Sequence, residues 1–546
     1  MFQPPRGTLV LRGLRRPLTL RRRASLLSPL QKRNLLTLAI ETSCDDTSVA
    51  ILERHDASSH RYRQAATLHF LENITADSTE YRGIHPLVAH ESHQDNLARL
   101  VNKALQYLPP VKEAETENDG SRRGNVVTLA SDSGPSLDQN KALSIPRRKP
   151  DFISVTRGPG MRANLLTGLD TAKGLAVAWQ VPLVGVHHMQ AHLLTPRLVG
   201  ALSKNETSHL DEEAPDATVE FPFLSILVSG GHTLLVHSSS AVDHSILAET
   251  IDIAIGDAID KFARLILPQA TLSQSKTTMY GKLLEEFAFP NGPSDYADYI
   301  PPATRKDEIF KVENAQWGWS FGMPLAETRS LQFSFSGILS NVEKQVQAIK
   351  KAHMKNGKKE DDFLPHEARV ALSRDVMRVF FEHLASRTVI ALESLWEKER
   401  AGDSPIGKVT GNGKKEKKRA REMRQMRMRQ VNSSTSDNLQ LCDNDVRTLV
   451  VSGGVAANRF LLFLLRSFLD VRGFKHVKIV APPPKLCTDN AAMIGWAGME
   501  MFERGWRTDL SARPLRKWAL DKTADDGGIL GPDGWVKEEV MPEKEP

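Results

Sequence analysis

The segment 186–196, VHHMQAHLLTP, places three of the chain's 17 histidines within six residues. If a helix begins near His188, then His188 and His192 are four residues apart and their imidazoles share one helical face. That spacing lets two ring nitrogens reach one metal ion, while His187 points elsewhere. Two ligands rarely complete a site, so a third must come from a distant part of the chain. Asp489, in PPPKLCTDNAAMIGWAGME, sits just before an apolar helix of small residues and is the candidate. His-x-x-x-His is also a zinc-protease spacing, but such enzymes need a glutamate directly after the first histidine as general base. Met189 occupies that place. A further trio, His85, His90 and His93 in GIHPLVAHESHQDN, lacks a third ligand type at defined spacing and reads as helix-surface groups.

Glycine turns are the second chemical feature. Ser229-Gly230-Gly231 follows the apolar pair Leu227-Val228, and Ser452-Gly453-Gly454 follows another apolar run. Glycines after a strand let backbone amides approach phosphate oxygens, because no Cβ stands in the way. With the turn Glu41-Thr42-Ser43-Cys44-Asp45-Asp46 they suggest a nucleotide cleft between two lobes. The stretch ETIDIAIGDAIDKFARLI has apolar residues at helical spacing, with Asp257, Asp260 and Lys261 as polar exceptions. Those three read as a solvent face. The functional alternative is that the Asp260 carboxylate accepts from a ribose hydroxyl pair.

The elements that must position these residues belong to an α/β protein. LLTLAIETSCDDTSVAILE reads strand, polar turn, strand, and FLSILVSGGHTLLVHS repeats that design about 185 residues later, the mark of an internally duplicated, two-lobed fold. DFISVTRGPGMRANLLTGLDTAKGLAVAWQVPLVGVHH reads strand, glycine turn, helix, strand, with the helix starting near Ala163. Expected boundaries are a lobe over 35–222, completed by about 488–520, and a second lobe over 223–487. Polar segments at about 111–150 and 201–220 read as surface insertions, and 521–546 as a disordered tail. A basic stretch over 407–438 is a candidate for RNA phosphate contact, though most such runs are solvated loops.

Composition narrows the class. The chain has 546 residues, 40% of them hydrophobic and 25% charged, with a net charge of +6. No apolar run approaches the roughly 20 residues of a membrane span, so no membrane partner is expected. Cys44, Cys442 and Cys487 form no CxxC pair, which supports neither a disulfide framework nor a thiolate cluster. Residues 1–34 are rich in Arg and Leu, and no acidic residue precedes Glu41, the composition of a mitochondrial transit peptide.

In this order, ETSCDDTSVAIL, RGPG, VHHMQAHLL, LVSGGHT, AIDK, FSFSGI, VSGGVAANR and CTDNAAMI resemble the tRNA N6-adenosine threonylcarbamoyltransferase family. With the presequence, the chain is most similar to its mitochondrial, single-protein branch. The resemblance spans roughly 35–520 and implies the two-lobed fold of actin, sugar kinases and Hsp70, with duplicated mixed-sheet lobes. It also implies transfer of a threonylcarbamoyl group from threonylcarbamoyl-AMP to N6 of the adenosine next to the anticodon, position 37, in tRNAs reading codons that begin with adenine. AMP is released, in the mitochondrial matrix. By resemblance one divalent ion, iron or zinc, falls on His188, His192 and Asp489. Substrate and nucleotide contacts fall on Leu227, Val228, Ser229, Gly230, Gly231, Asp260, Gly281 and Asn458. Asp45 is the catalytic candidate, for managing the proton or placing the donor. The resemblance further implies a homodimer, with tRNA and threonylcarbamoyl-AMP as partners. Arg157 and Arg162, flanking the glycine turn, are candidates for tRNA phosphate contact. The sequence departs from the family's YPGGP pattern, reading TTMYGKLLEE, so only Gly281 aligns there. The competing readings are a glycoprotease-type metalloprotease and a nucleotide-dependent RNA-binding module or kinase of the same fold.

Overall fold

The computed structural model describes residues 34–55, 65–81, 84–111, 126–129, 145–203, 219–273, 280–355, 363–400 and 445–538. The presequence up to residue 33 and the basic stretch 407–438 lie outside the described residues.

Two sheets organise the chain. The first contains β1 (Leu35–Glu41), β2 (Asp46–Arg54), β3 (Ala66–Thr75), β4 (Phe152–Gly158) and β5 (Leu183–His187) in the order β3-β2-β1-β4-β5. β1 pairs antiparallel with β2 and parallel with β4, which runs parallel to β5. Every residue of β1 is buried, because helices cover both faces of this central strand and leave no room for alternation.

The second sheet contains β6 (Phe223–Val228), β7 (Thr233–Ser238), β8 (His244–Thr250), β9 (Gln332–Phe333), β10 (Thr448–Ser452) and β11 (Lys478–Val480), ordered β9-β8-β7-β6-β10-β11. Apart from the edge strand β9, its order and strand directions repeat those of the first sheet. This repeat is the two-lobed architecture of the actin, sugar-kinase and Hsp70-like class; the two hairpins showed the duplication in the sequence, and the family resemblance implied the class.

Helices fill the layers. α1 (Pro86–Leu105) and α2 (Arg162–Trp179) cover one face of the first sheet. α3 (His188–Ser203) follows β5. In the second lobe come α4 (Ile255–Ile266), α5 (Gly281–Ala288), α6 (Ser336–Lys355), α7 (His366–Arg400) and α8 (Arg459–Val471). α9 (Ala491–Glu503) then returns to the first lobe. α3 and α9 pack on each other, and with both sheets they enclose one apolar core containing Leu193, Leu194, Val450 and Trp496. Asn490 starts α9 by accepting from the Met493 N–H at 3.0 Å, a cap worth about 1 kcal/mol. Among the described residues no helix is long and apolar enough to cross a membrane.

The C-terminal segment corrects an expectation. Residues 521–538, read as tail from their polar composition, are folded: Trp535–Lys537 pairs antiparallel with Trp506–Thr508, and Ile529 is buried. The Trp518 and Trp535 indole N–H groups donate to the Gly528 and Ile529 carbonyls at 3.0 and 2.9 Å. A few aromatic anchors, diluted in the local average, suffice to order the segment. The segment read as an insertion at 111–150 also contributes structure, since Val126–Leu129 pairs with Ile145–Arg148 and Arg148 joins Glu53 at 2.8 Å.

Candidate functional site

The parallel strands β1, β4 and β5 end at Glu41, Gly158 and His187, so their carboxyl ends gather the first lobe's polar residues. His187 closes β5. Its Nδ1 accepts from the Met189 and Gln190 N–H groups at 3.1 and 3.3 Å, and its Nε2–H donates to the Trp518 carbonyl at 3.1 Å. It therefore caps α3, and burial pushes its pKa down to about 3, keeping it a neutral acceptor.

One step further on, His188 and His192 turn toward Asp489. His192 Nε2 lies 3.0 Å from Asp489 Oδ1 and 3.2 Å from His188 Nε2, which itself lies 3.4 Å from Asp489 Oδ1. The three ligand atoms fall within 4.8 Å of one another. Burial works against charge here, but Asp489 and Glu41 outweigh it and hold His188 well above the usual histidine range. Asp489 is held well below the carboxylate range, again against burial, by His188 and His192. A divalent cation bound there would displace the proton that these carboxylates favour on His188. Two imidazole nitrogens and one carboxylate oxygen fit a divalent metal and leave coordination positions for substrate.

Glu41 supports this trio. It is fully buried, accepts from the Ser43 N–H at 2.5 Å and from the Thr156 hydroxyl, and lies 3.4 Å from His188 Nδ1. A carboxylate on Nδ1 orients the ring and directs Nε2 to the metal position. The signal for this role was available, since Glu41 is the one charged residue of a buried, largely apolar strand and closes it.

Asp45 is half-buried on the turn that joins β1 to β2. Its neighbour Asp46 is pushed up to about 6 by burial, with Asp45, Asp489 and Glu41 adding to the rise. The Cys44 thiol is raised by burial and by Asp45 and Asp489, which makes it a poor nucleophile.

His93 is a correction. Read as a helix-surface group, it is fully buried beneath this turn. Its Nε2 lies 3.0 Å from the Cys44 carbonyl and its Nδ1 2.8 Å from Thr47 Oγ1. A carbonyl only accepts, so Nε2 carries the proton and the Thr47 hydroxyl donates to Nδ1. Asn164 Nδ2 donates to the same carbonyl at 2.6 Å. Helical spacing put His93 on α1 without revealing that α1 turns this face to the β1–β2 turn. His85 instead accepts from the Val88 N–H at the start of α1, and His90 faces Thr167. His93→Gln, whose amide nitrogen reaches the Nε2 position, should keep kcat/KM within about threefold, whereas His93→Asn should lose about tenfold or more. Steady-state kinetics beside thermal melts check this. A purely packing role would make Gln no better than Asn.

In the second lobe, Leu227 and Val228 are buried at the end of β6, and the exposed Gly230 and Gly231 follow Ser229. The Ser229 hydroxyl accepts from the His232 N–H at 3.0 Å and shapes the turn. His232, which the sequence reading passed over, is exposed on this turn, yet partial desolvation of its ring, followed by the charges of His188 and His192, depresses its pKa. Asp260 is not a solvent-face residue. It is half-buried and accepts from the Tyr280 N–H at 2.7 Å, next to Gly281 at the start of α5. Asn458 caps α8, accepting from the Leu461 N–H at 3.0 Å, and Glu285 of α5 accepts from the Arg459 N–H at 2.7 Å. Asp260, Gly281 and Asn458 thus lie on elements that meet at the start of α8. Arg157 is buried and donates to the Arg513 and Asp533 carbonyls, so it does not face solvent as a phosphate contact must; Arg162 is exposed.

The family model described as TsaD, tRNA N6-adenosine threonylcarbamoyltransferase, matches residues 140–496. A mitochondrial tRNA N6-adenosine threonylcarbamoyltransferase from Schizosaccharomyces pombe is 31% identical over 512 residues, covering 93% of this chain and 90% of the relative. A tRNA N6-adenosine threonylcarbamoyltransferase from Rhizobium meliloti is 30% identical over 489 residues, covering 89% of this chain and 96% of its own length. Matches of that extent, over a chain whose fold brings the histidine pair and Asp489 together, place it in the TsaD family of tRNA-modifying transferases.

Proposed function

We propose that the protein transfers the threonylcarbamoyl group of threonylcarbamoyl-AMP to N6 of the adenosine immediately 3′ of the anticodon, in tRNAs reading codons that begin with adenine. The observation carrying this reading is the convergence of His188, His192 and Asp489, whose ligand atoms lie within 4.8 Å of one another, in a chain that the TsaD family model matches over residues 140–496. A glycine turn suited to a phosphate and a metal site suited to an acyl oxygen then serve one donor molecule.

The adenine amine is a weak nucleophile, because its lone pair is delocalised into the ring, so the donor must be activated and held in line. N6 bonds to the carbamoyl carbon, the carbon–oxygen bond to the phosphate breaks, AMP departs with that electron pair, and N6 gives up one proton. We assign Asp45 to receiving that proton or to placing the donor. Amides of the Gly230–Gly231 turn hold the departing phosphate, and Asp260, Gly281 and Asn458 bind the adenosine end. Iron or zinc on His188, His192 and Asp489 would supply Lewis-acid polarisation where oxyanion charge develops. Glu41 keeps the His188 ring in position, and the neutral His187 keeps α3 capped.

The Arg-rich, acid-free beginning of the sequence and the similarity to a mitochondrial relative support a mitochondrial, matrix location. The same branch resemblance supports a homodimer. The test is direct: incubate the protein with threonylcarbamoyl-AMP and an unmodified tRNA carrying the target adenosine, digest, and analyse nucleosides by mass spectrometry. Threonylcarbamoyladenosine is expected, and its absence would sink the proposal.

A further inference from the structure

We infer that the exposed cations Arg162, Arg513, Arg516 and Lys517 form the surface that takes the phosphates of the tRNA anticodon stem-loop. This rests on the transferase reading and names the part of the protein that receives its substrate. All four side chains are exposed. None has a carboxylate partner among the ion pairs of the described residues, unlike Arg54, paired with Glu503, and Lys522, paired with Asp243. Unneutralised cations grouped in one place repel one another unless a polyanion joins them.

Their position is fixed by backbone bonds to the site itself. The Leu515 N–H donates to the Arg157 carbonyl at 2.8 Å, and the Gly160 N–H to the Arg516 carbonyl at 3.4 Å. The Trp518 carbonyl accepts from His187, the cap of the metal-site helix. From the other side, the Met161 N–H donates to the Ser43 carbonyl at 2.9 Å, one residue before Cys44 and two before Asp45. The approach is so close that a Cβ on Gly160 would lie 2.7 Å from that carbonyl oxygen. The run 513–517 therefore lies along the outside of the glycine turn 158–160, whose inside touches the Asp45 turn. Arg162 opens α2 just beyond that turn. A nucleic acid held there by its phosphates brings the base beside the anticodon to the cleft, because phosphate contacts set register while the site selects the base. Arg157 supplies the scaffold: its buried guanidinium donates to the Arg513 carbonyl and thereby orders the run whose side chains face outward.

The experiment uses the full-length protein and an unmodified tRNA substrate, comparing Arg513→Ala/Arg516→Ala/Lys517→Ala with a control of equal charge loss, Lys306→Ala/Lys311→Ala/Lys344→Ala. The bonds that place Arg513 and Arg516 run through main-chain atoms, so side-chain truncation leaves them in place. The patch variant is expected to raise KM for tRNA about tenfold or more at physiological salt, with kcat and KM for threonylcarbamoyl-AMP within about twofold. Its plot of log affinity against log salt should flatten by about two, near the loss of three phosphate contacts. The control should match wild type. Equal effects in patch and control variants, or an unchanged tRNA KM and salt slope, would overturn the assignment. Failure of the transferase reading is distinguishable, since then the wild-type protein would form no modified nucleoside at all.

Discussion

His192→Ala and Asp489→Ala proteins should purify with less than about a tenth of the wild-type metal content and transfer threonylcarbamoyl about a thousandfold more slowly. The expectation follows from the small donor set. Three ligands hold a divalent ion with positions left open, and two bind far less tightly, so removing either changes occupancy rather than tuning it. Losing a Lewis acid at a developing oxyanion removes several kcal/mol of stabilisation, and each factor of ten corresponds to about 1.4 kcal/mol. The fold should survive both changes. α9 is capped by Asn490, and α3 by His187, whose bonds involve neither ligand. Elemental analysis, steady-state kinetics and thermal melts on the same preparations separate the possibilities. A full complement of metal in the Asp489→Ala protein would remove that residue from the ligand set. Normal metal with lost activity would move its role to substrate.

How much of this was legible in the sequence depends on whether the signal was local. The hairpins and the β-α-β unit carry their own apolar runs bounded by polar or glycine turns, so the duplicated sheets could be read from local pattern. The i, i+4 relation of His188 and His192 is a property of a single helix. Asp489 lies 297 residues from His192, and no spacing rule reaches that far; it stood out as a carboxylate just before an apolar helix of small residues, and the family resemblance then placed it in the ligand set. The capping role of His187 was invisible, because it depends on which ring nitrogen the backbone of the next turn approaches. His93 was misplaced for the same kind of reason: helical periodicity gives a face, not what packs on it. The folded residues 521–538 were hidden by averaging, since a few aromatic residues order a stretch whose mean composition is polar.

The glycines show most clearly how the geometry sharpens a reading that sequence leaves uniform. Both SGG turns suggested room for a phosphate, yet their glycines serve different ends. Gly453 has φ +97°, and a Cβ there would meet the Val228 carbonyl oxygen at 2.3 Å, where β10 and β6 end side by side. Gly453→Ala should therefore cost about 3 kcal/mol or more, from the strained backbone and from parting the two strand ends. A marked drop in thermal midpoint or in soluble yield would register it. Gly230 and Gly231 have no atom within 4 Å of an added Cβ and no left-handed φ, so alanine fits the free protein at either position. Their substitution should leave stability unchanged or slightly improved, by up to about 1 kcal/mol through a stiffer unfolded chain. The added methyl group would instead stand where the donor's phosphate must approach the amides. KM for threonylcarbamoyl-AMP should rise about tenfold or more while the melting curve stays in place. Full activity in Gly230→Ala and Gly231→Ala would show that the phosphate is held elsewhere. A stable, active Gly453→Ala would mean that β6 and β10 part without cost, contrary to the continuous core between the lobes.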